Sequence, residues 1–513
     1  MSLGFNNQTQ QQIATQSCVK EPSFTHAIAI GQTGCGKTTG FILPHLKDRI
    51  ERGHGVLMFD YKGKEHRSLK AIALQAGAID RVEELGKPWG MQINLLKMLG
   101  ENGLVALMGE LGDSKDRFWS ESAAALVRNT YRLLLHGHRL AKKGACDPLK
   151  APMPTLRSIF ETLNSAESLQ QTLDLYEEIA TISSAHIHSS AEQGAPIELL
   201  AFILREAETI QGILKDLEGY RDARLIKQEN AASGHLGILL SASAVLREFA
   251  AHSSINAPNG ADLIEKLSEG ALVSIDTQEL SVSVMRPLMS SVVARLVKRT
   301  SQLDPGKPVS IFADEAQRVL DAQTDLGDDV LRESRVELIL ATQDLAQLTQ
   351  VLGSEKTRSL MTNVKEQFFF KGQPIGWAGY DHLRTEGLAE FAYLQPGEKP
   401  RTLKAEPLFI DEADRIYALW AYQQSKPALR SLTDGHKPAL LHYNEEMFKE
   451  SGELEARELS DDKRTLSGNR YRINALVALT EESTFNNMLK LLDELSFNRP
   501  SVASPARVSV QRV

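Results

Sequence analysis

Short apolar runs alternate with longer stretches of helical periodicity over roughly the first 410 residues of the chain. Residues 27–30 (Ala-Ile-Ala-Ile), 55–60, 271–276, 309–313, 337–342 and 367–370 each predict a buried strand, because apolar side chains fall on both faces of each run. Two further strands are predicted at 391–394 and 407–410, flanking a turn at Pro396-Gly397.

A period near 3.6 runs from about residue 104 to about 140, where Ala123, Leu126, Val127, Thr130, Leu133 and Leu134 share one face. Phe118 and Trp119 open this stretch as core anchors. Two residues apart, His136 and His138 cannot share a helix face, so they read as surface residues. Pro148, Pro152 and Pro154 interrupt the chain, and helical patterning resumes from 155 to about 250. An amphipathic helix over 285–300 ends in Arg295, Lys298 and Arg299, charges that suit the negative end of a helix dipole. Beyond Asp411 the pattern turns polar, with helical periodicity returning at 473–495 and a loose end at 499–513.

The chemistry concentrates where the strands end. Gly31-Gln32-Thr33-Gly34-Cys35-Gly36-Lys37-Thr38 fits the G-x-x-x-x-G-K-[ST] phosphate-cradling loop, placed between a predicted strand and a helix that starts at Thr39. Its glycines let successive N–H groups turn toward phosphate oxygens, and the helix N-terminus adds its dipole. In that arrangement Lys37 reaches the β- and γ-phosphates and the Thr38 hydroxyl ligates Mg²⁺. Asp314 and Glu315 close the 309–313 strand. The first suits a metal shell, and the second suits proton acceptance from an attacking water. Gln343 closes the next strand, as a γ-phosphate sensor or as a plain helix cap. Asp60 ends its strand and Lys62 follows in the turn, near the nucleotide if the sheet is open and parallel, or as an ordinary strand-to-helix turn.

Composition narrows the partners. The 513 residues carry 58 Lys and Arg against 66 Asp and Glu, a net charge of −8, so any grip on nucleic acid must come from local patches. Between 151 and 250 there are 7 basic and 14 acidic residues, a net of −7, which makes that region a poor phosphate surface overall. Arg221, Arg224 and Lys227 are its basic candidates. Cys18, Cys35 and Cys146 have no paired spacing, which suggests neither a disulfide framework nor a zinc site and points to a reducing compartment. No apolar run approaches membrane-spanning length, and Met1 to Lys20 lacks a signal-peptide pattern.

The order of these parts resembles the coupling ATPases of type IV secretion and conjugation. The likeness extends over about residues 23–410. It rests on the phosphate-loop segment through Pro44, the Phe59-Asp60-Tyr61-Lys62-Gly63-Lys64-Glu65 stretch, Ile93-Asn94-Leu95-Leu96, Phe118-Trp119, Ala313 to Ala316, Arg335, and Gln343 through Leu348. The resemblance implies an α/β fold: a RecA-like P-loop NTPase domain with a mainly parallel sheet, interrupted by an all-α insertion domain, with a polar C-terminal extension. The expected limits are a flexible tail at 1–22, a discontinuous nucleotide-binding domain at 23–100 and 251–410, the insertion at 101–250, and a helical, loop-rich extension at 411–513. The cofactors implied are ATP and Mg²⁺, with residues 31–38 and Thr39 on the phosphates and Thr38 and Asp314 on the metal. Lys37, Asp314, Glu315 and Gln343 would act from within the chain. Arg335 would come from a neighbour in a homo-hexamer, with Arg332 and Arg358 as rivals.

The function implied is a motor that recruits DNA and feeds it into a secretion channel, the DNA single-stranded by preference, alone or with a bound relaxase. Channel or adaptor proteins would dock on 411–513. Family members usually begin with membrane-spanning helices, whereas 30 residues precede this loop, so the expected location is cytoplasmic, with a partner chain supplying any recruitment to the inner face of the bacterial membrane. Two alternatives stay open. One is a soluble DNA-translocating ATPase or helicase outside secretion; the other is a protein-substrate receptor whose ATPase pumps no DNA.

Overall fold

The computed structural model describes residues 15–19, 24–87, 90–111, 117–221, 229–276, 280–301, 304–321, 324, 328–372, 387–394, 399–410, 413, 414, 416–418, 420 and 421. The expectations for the Pro396-Gly397 turn, Arg224, Lys227, and the 473–495 and 499–513 stretches lie outside these residues. The side chains of Phe118 and Arg221 lie outside the described set too.

Among the described residues the strands are β1 (Thr15–Gln16), β2 (Ala27–Ile30), β3 (Gly55–Asp60), β4 (Val82–Leu85), β5 (Leu272–Asp276), β6 (Val309–Ala313), β7 (Val336–Thr342), β8 (Glu366–Phe370), β9 (Glu390–Leu394) and β10 (Arg401–Ala405). They form one sheet in the order β1-β10-β9-β8-β2-β7-β6-β3-β5-β4. From β8 to β4 every pairing is parallel, and β9 alone runs against both of its neighbours. The α/β, mainly parallel architecture expected from the sequence is therefore present.

The helices are α1 (Leu43–Glu51), α2 (Glu65–Gln75), α3 (Leu95–Leu111), α4 (Arg117–Lys142), α5 (Leu156–Leu163), α6 (Ala166–Glu192), α7 (Ile197–Arg221), α8 (Glu229–Ala251), α9 (Leu263–Glu269), α10 (Val282–Val297), α11 (Ala316–Val319), α12 (Asp328–Glu333), α13 (Leu345–Leu352) and α14 (Ser354–Asn363). Strand alternation sorts the core into two layers. Ile28, Ile30, Leu57 and Phe59 face a core shared with α10, α13 and the helices from α3 to α8, while Ala27, Ala29, Val56 and Met58 face α1 and α2. The helical insert thus shares continuous apolar packing with one face of the sheet.

Several local expectations change. The second C-terminal strand is Arg401–Ala405, whereas 407–410 makes no ladder. A polar strand with mostly exposed side chains, paired between β9 and the short β1, carries no apolar run to announce it. Thr15–Gln16, in the segment expected to be a tail, pairs parallel with Lys404 and Ala405, and Cys18 beside it is fully buried. His136 and His138 are not free surface residues: His136 Nδ1 lies 2.6 Å from Glu206 Oε2 on α7, and His138 Nδ1 lies 3.3 Å from the Ala151 carbonyl. Arg299, expected to serve the helix dipole, is buried and donates to the carbonyls of Pro305 and Lys307.

Candidate nucleotide-binding and hydrolytic site

Parallel strands deliver their C-terminal ends to one edge, and the loops that follow β2, β3, β6 and β7 meet there. β2 leads into Gly31, where a Cβ would stand 2.7 Å from that of Phe370, so glycine lets the loop pass β8 closely. Gly34 and Gly36 hold φ values of +79° and +98°, conformations that L side chains rarely adopt. The loop is pinned from both sides: Gly31 N donates to Thr342 O at 3.2 Å and Gln32 N to Lys371 O at 2.8 Å. Lys37 is buried and folds back, donating to Gly31 O at 2.5 Å and Gln32 O at 3.0 Å. Burial holds its ammonium below the usual lysine range, against the opposing pull of Cys35 and Asp314.

The helix leaving the loop opens with a wide turn, in which Leu43 N donates to the Thr38 carbonyl five residues back. Pro44 follows and has no N–H to offer. The Thr39 carbonyl instead accepts from Leu408 N at 2.8 Å, which ties the segment after β10 to the phosphate-loop helix.

Asp314 and Glu315 lie beside this turn and are both buried. The Thr38 hydroxyl sits 3.2 and 3.3 Å from the two Asp314 carboxylate oxygens. Lys62, from the turn after β3, bonds Asp314 directly and stands 3.5 Å from Glu315 Oε1. Burial pulls the Lys62 ammonium down, but Asp314, together with Glu65 and Glu315, holds the group above the usual lysine range. Glu315 is aimed by two amides. Gln317 Nε2 donates at 2.6 Å and Gln343 Nε2 at 3.1 and 3.3 Å, while Gln317 in turn accepts from the Thr342 hydroxyl at 2.9 Å. Gln343 therefore stands on the carboxylate, and the helix-cap role falls to Asp344, which accepts from Ala346 N at 2.8 Å.

Asp60 does not join this group. It is fully buried and accepts from Gly63 N (2.8 Å), His66 N (2.9 Å) and His66 Nδ1 (2.6 Å), so it builds the turn and the start of α2. Burial alone would raise its pKa, but the hydrogen bonds, His66's first, hold it below the ordinary carboxylate range. Next to it, the Glu65 carboxyl is pushed up to about 9 by burial, then by Asp60 and Asp314. Glu65, His66 and Gln317 are site neighbours that the sequence reading passed over. An acid opening a helix reads as a cap, and a glutamine in a four-residue helix has no pattern to betray it.

Arg335 stands at the start of β7 with φ of +57°, at the opposite edge of the sheet from Gln343. Its Nη1 lies 3.4 Å from the Gly306 carbonyl, and the seven-residue strand between the two ends spans about 20 Å. Arg332 and Arg358 are exposed on α12 and α14.

The fit to a nucleotide rests on these contacts. A hydroxyl and a carboxylate converging through oxygen atoms form a donor set of the kind Mg²⁺ takes, with a cation already drawn to that carboxylate. Gln32, Thr33 and Gly34 are exposed, which leaves the loop's rim open.

Loop, carboxylate pair and parallel sheet define a P-loop nucleotide-binding fold. Residues 308–378, which hold β6 to β8 and both carboxylates, match the family model described as the TraM recognition site of TraD and TraG. That match supports the coupling-protein resemblance from within the same span. Among solved structures, the plasmid coupling protein TrwB in complex with ADP and Mg²⁺ aligns at 13% identity with a TM-score of 0.47, covering 78% of this chain and 90% of that one. Its unbound monoclinic form gives 13%, 0.48, 78% and 90%. VirB4 of Thermoanaerobacter pseudethanolicus gives 14%, 0.40, 76% and 91%. A search of curated proteins finds no match. Among the described residues no helix is long and apolar enough to cross a membrane.

Proposed function

We propose that the protein is an ATP-hydrolysing coupling motor that recruits DNA, or a protein–DNA complex, to a type IV secretion or conjugation channel. The observation that carries the reading is the meeting of Lys37, Thr38, Lys62, Asp314, Glu315 and Gln343 at one edge of a parallel sheet, with Thr38 and Asp314 separated by 276 residues in sequence. The family-model match across the Asp314–Gln343 stretch supports the choice of coupling function over other P-loop chemistries.

In this reading the loop backbone from Gly31 to Thr39 and the Lys37 ammonium hold the triphosphate. Thr38 and Asp314 hold Mg²⁺, which when bound neutralises charge on the phosphate oxygens. Glu315 takes a proton from the water that attacks the γ-phosphorus, yielding ADP and inorganic phosphate. Gln343 and Gln317 keep its carboxylate oriented. Lys37 leaves its two loop carbonyls for phosphate, an exchange of acceptors that keeps the ammonium satisfied throughout. An arginine from a neighbouring copy in a ring would complete the site, and Arg335, exposed at the far edge, is the one nominated.

Steady-state ATP hydrolysis with and without single- and double-stranded DNA tests the proposal, with Lys37→Ala and Glu315→Gln run alongside. DNA-stimulated hydrolysis is expected, with Glu315→Gln lowering turnover by roughly 10²–10⁴ while retaining nucleotide binding. Hydrolysis indifferent to DNA would reject the motor and favour the protein-receptor alternative.

A further inference from the structure

Eight large apolar side chains are left in solvent among the described residues. Six of them, Leu149, Ile182, Ile197, Leu204, Leu236 and Leu240, belong to the helical insert or its connections. Leu388 and Phe409, each 69% exposed, are the two in the rest of the protein. Both stand one residue from a backbone hydrogen bond to the phosphate-loop segment. Ala389 N donates to the Cys35 carbonyl at 3.0 Å, and Leu408 N donates to the Thr39 carbonyl at 2.8 Å.

The pattern along the second segment fixes which way it faces. Leu408 and Ile410 pack against the core layer under α1, so alternation turns Phe409 outward between them, beside the first turn after the loop. On the first segment Ala389 is buried, its atoms 3.3 Å from where a Gly36 Cβ would stand, and Leu388 is turned out. On the β3, β6 and β7 side the loop is flanked by Lys62, Asp314, Glu315 and Gln343. Among the described residues, charged and amide side chains thus stand on that side, while Leu388 and Phe409 belong to segments bonded to the loop and its helix from β9 and β10.

A nucleoside triphosphate has that same division. Its γ-phosphate end needs cations and a general base, and its base end is a flat, weakly hydrated ring. We infer that Leu388 and Phe409 form the platform for the nucleotide's purine base, with Phe409 as the stacking surface and Leu388 as the apolar edge. This inference rests on the reading of residues 31–39 as the triphosphate cradle and adds a residue-level account of how the base is held. Stacking on an aromatic face tolerates any base, so the platform gives affinity with little discrimination between ATP and GTP.

The test is calorimetric titration of the full chain with Mg²⁺-ATP and, separately, with Mg²⁺-tripolyphosphate, which has no base. Wild-type protein is expected to bind ATP more tightly than tripolyphosphate. Phe409→Ala should weaken ATP on the order of tenfold, as loss of one base–aromatic stack does, and leave tripolyphosphate within about twofold. Phe409→Trp should keep or improve ATP affinity. Because Phe409 is exposed, its truncation leaves the core intact, and an unchanged unfolding midpoint checks this. Unchanged ATP affinity in Phe409→Ala overturns the platform while the triphosphate cradle stands, and so does equal weakening of both ligands. Should ATP affinity hold while self-association falls, the rim belongs to a contact with a second copy, and the platform is likewise rejected. Wild-type protein that binds neither ligand overturns the cradle and the platform together.

Discussion

Two lysines eight positions apart, Lys62 and Lys70, each neutralise a buried carboxylate, and they do so in opposite ways. The acids are alike: the side chains of Asp314 and Glu84 are both 1% exposed. Lys70, inside α2, is 0% exposed; it donates to Glu84 at 2.5 Å and to Ser274 at 3.0 Å. Its ammonium also lies 5.1 Å from the Tyr417 ring centre and 4.9 Å from that of Trp420, so aromatic faces close the remaining side. Lys62 lies in a turn, 36% exposed, and divides its charge between Asp314 and Glu315. A desolvated carboxylate demands a cation in both places. Only at Asp314 can the cation be exchanged, because water, a metal ion or a phosphate can reach the ammonium. The difference separates a pair that holds the fold from one poised for chemistry.

The largest expected effect lies at the sealed pair. Lys70→Met leaves the buried Glu84 carboxylate without its cation, and the loss of stability should be about 3–5 kcal/mol in urea unfolding. Adding Glu84→Leu removes the stranded charge and should recover most of that loss. A single-variant loss below about 1 kcal/mol would mean that water reaches Glu84, and the contrast with Asp314 would collapse.

The opposite edge of the sheet offers a second sealed network and an intermediate effect. Glu337 accepts from Arg49 Nε at 2.5 Å, Arg49 Nη2 at 3.2 Å and the Ser310 hydroxyl at 2.6 Å. His54 Nδ1 stands 2.8 Å from that hydroxyl; because the hydroxyl proton goes to Glu337, the ring nitrogen is assigned as the donor. Burial pushes the His54 pKa down to about 4, with Glu337 pulling the other way. An unfolded histidine titrates near 6.5, so the unfolded chain takes up the proton first as pH falls. His54's contribution is therefore complete above about pH 6.5, is lost on descending toward pH 4, and is constant below. Between pH 7 and pH 5 it amounts to about 2 kcal/mol. Unfolding midpoints at the two pH values should lie closer together in His54→Gln. His45, also pushed down to about 4 by burial, keeps part of the slope in that variant. An unchanged gap would place water at His54 and weaken the claim that this edge is sealed.

How much of this was legible in the sequence follows from chain distance. The phosphate loop and the Asp314-Glu315 pair could be read because each is a local pattern of adjacent residues at a strand end. The bonds that join them could not, because strand order across a sheet leaves no mark on spacing. Lys62 and Asp314 are 252 positions apart, and the Gln343–Glu315 bond crosses from β7 to β6. Asp60 looked like Lys62's companion because Asp60 ends β3 and Lys62 lies in the turn after it, yet three donors from that turn and the helix start claim Asp60. His136 read as surface for the same reason: its partner, Glu206, arrives from a different helix.

The smallest effect on stability, and the most informative, belongs to Lys62. Its partial exposure screens the pair, so Lys62→Met should change unfolding free energy by no more than about 1 kcal/mol, well below Lys70→Met. Without the ammonium, Asp314 and Glu315 form two adjacent carboxylates facing an open edge, and a divalent cation no longer has to displace a resident charge to reach them. Mg²⁺ titrated without nucleotide, followed by its shift of the unfolding midpoint, should therefore bind several-fold more tightly to Lys62→Met than to wild type. Asp314→Asn in the same background should abolish the gain, because it removes the carboxylate that both cations seek. Equal Mg²⁺ affinity in wild type and Lys62→Met would show that Lys62 does not hold the metal's place. A stability loss as large as that of Lys70→Met would show that the two lysines do the same work, one in a turn and one under an aromatic cover.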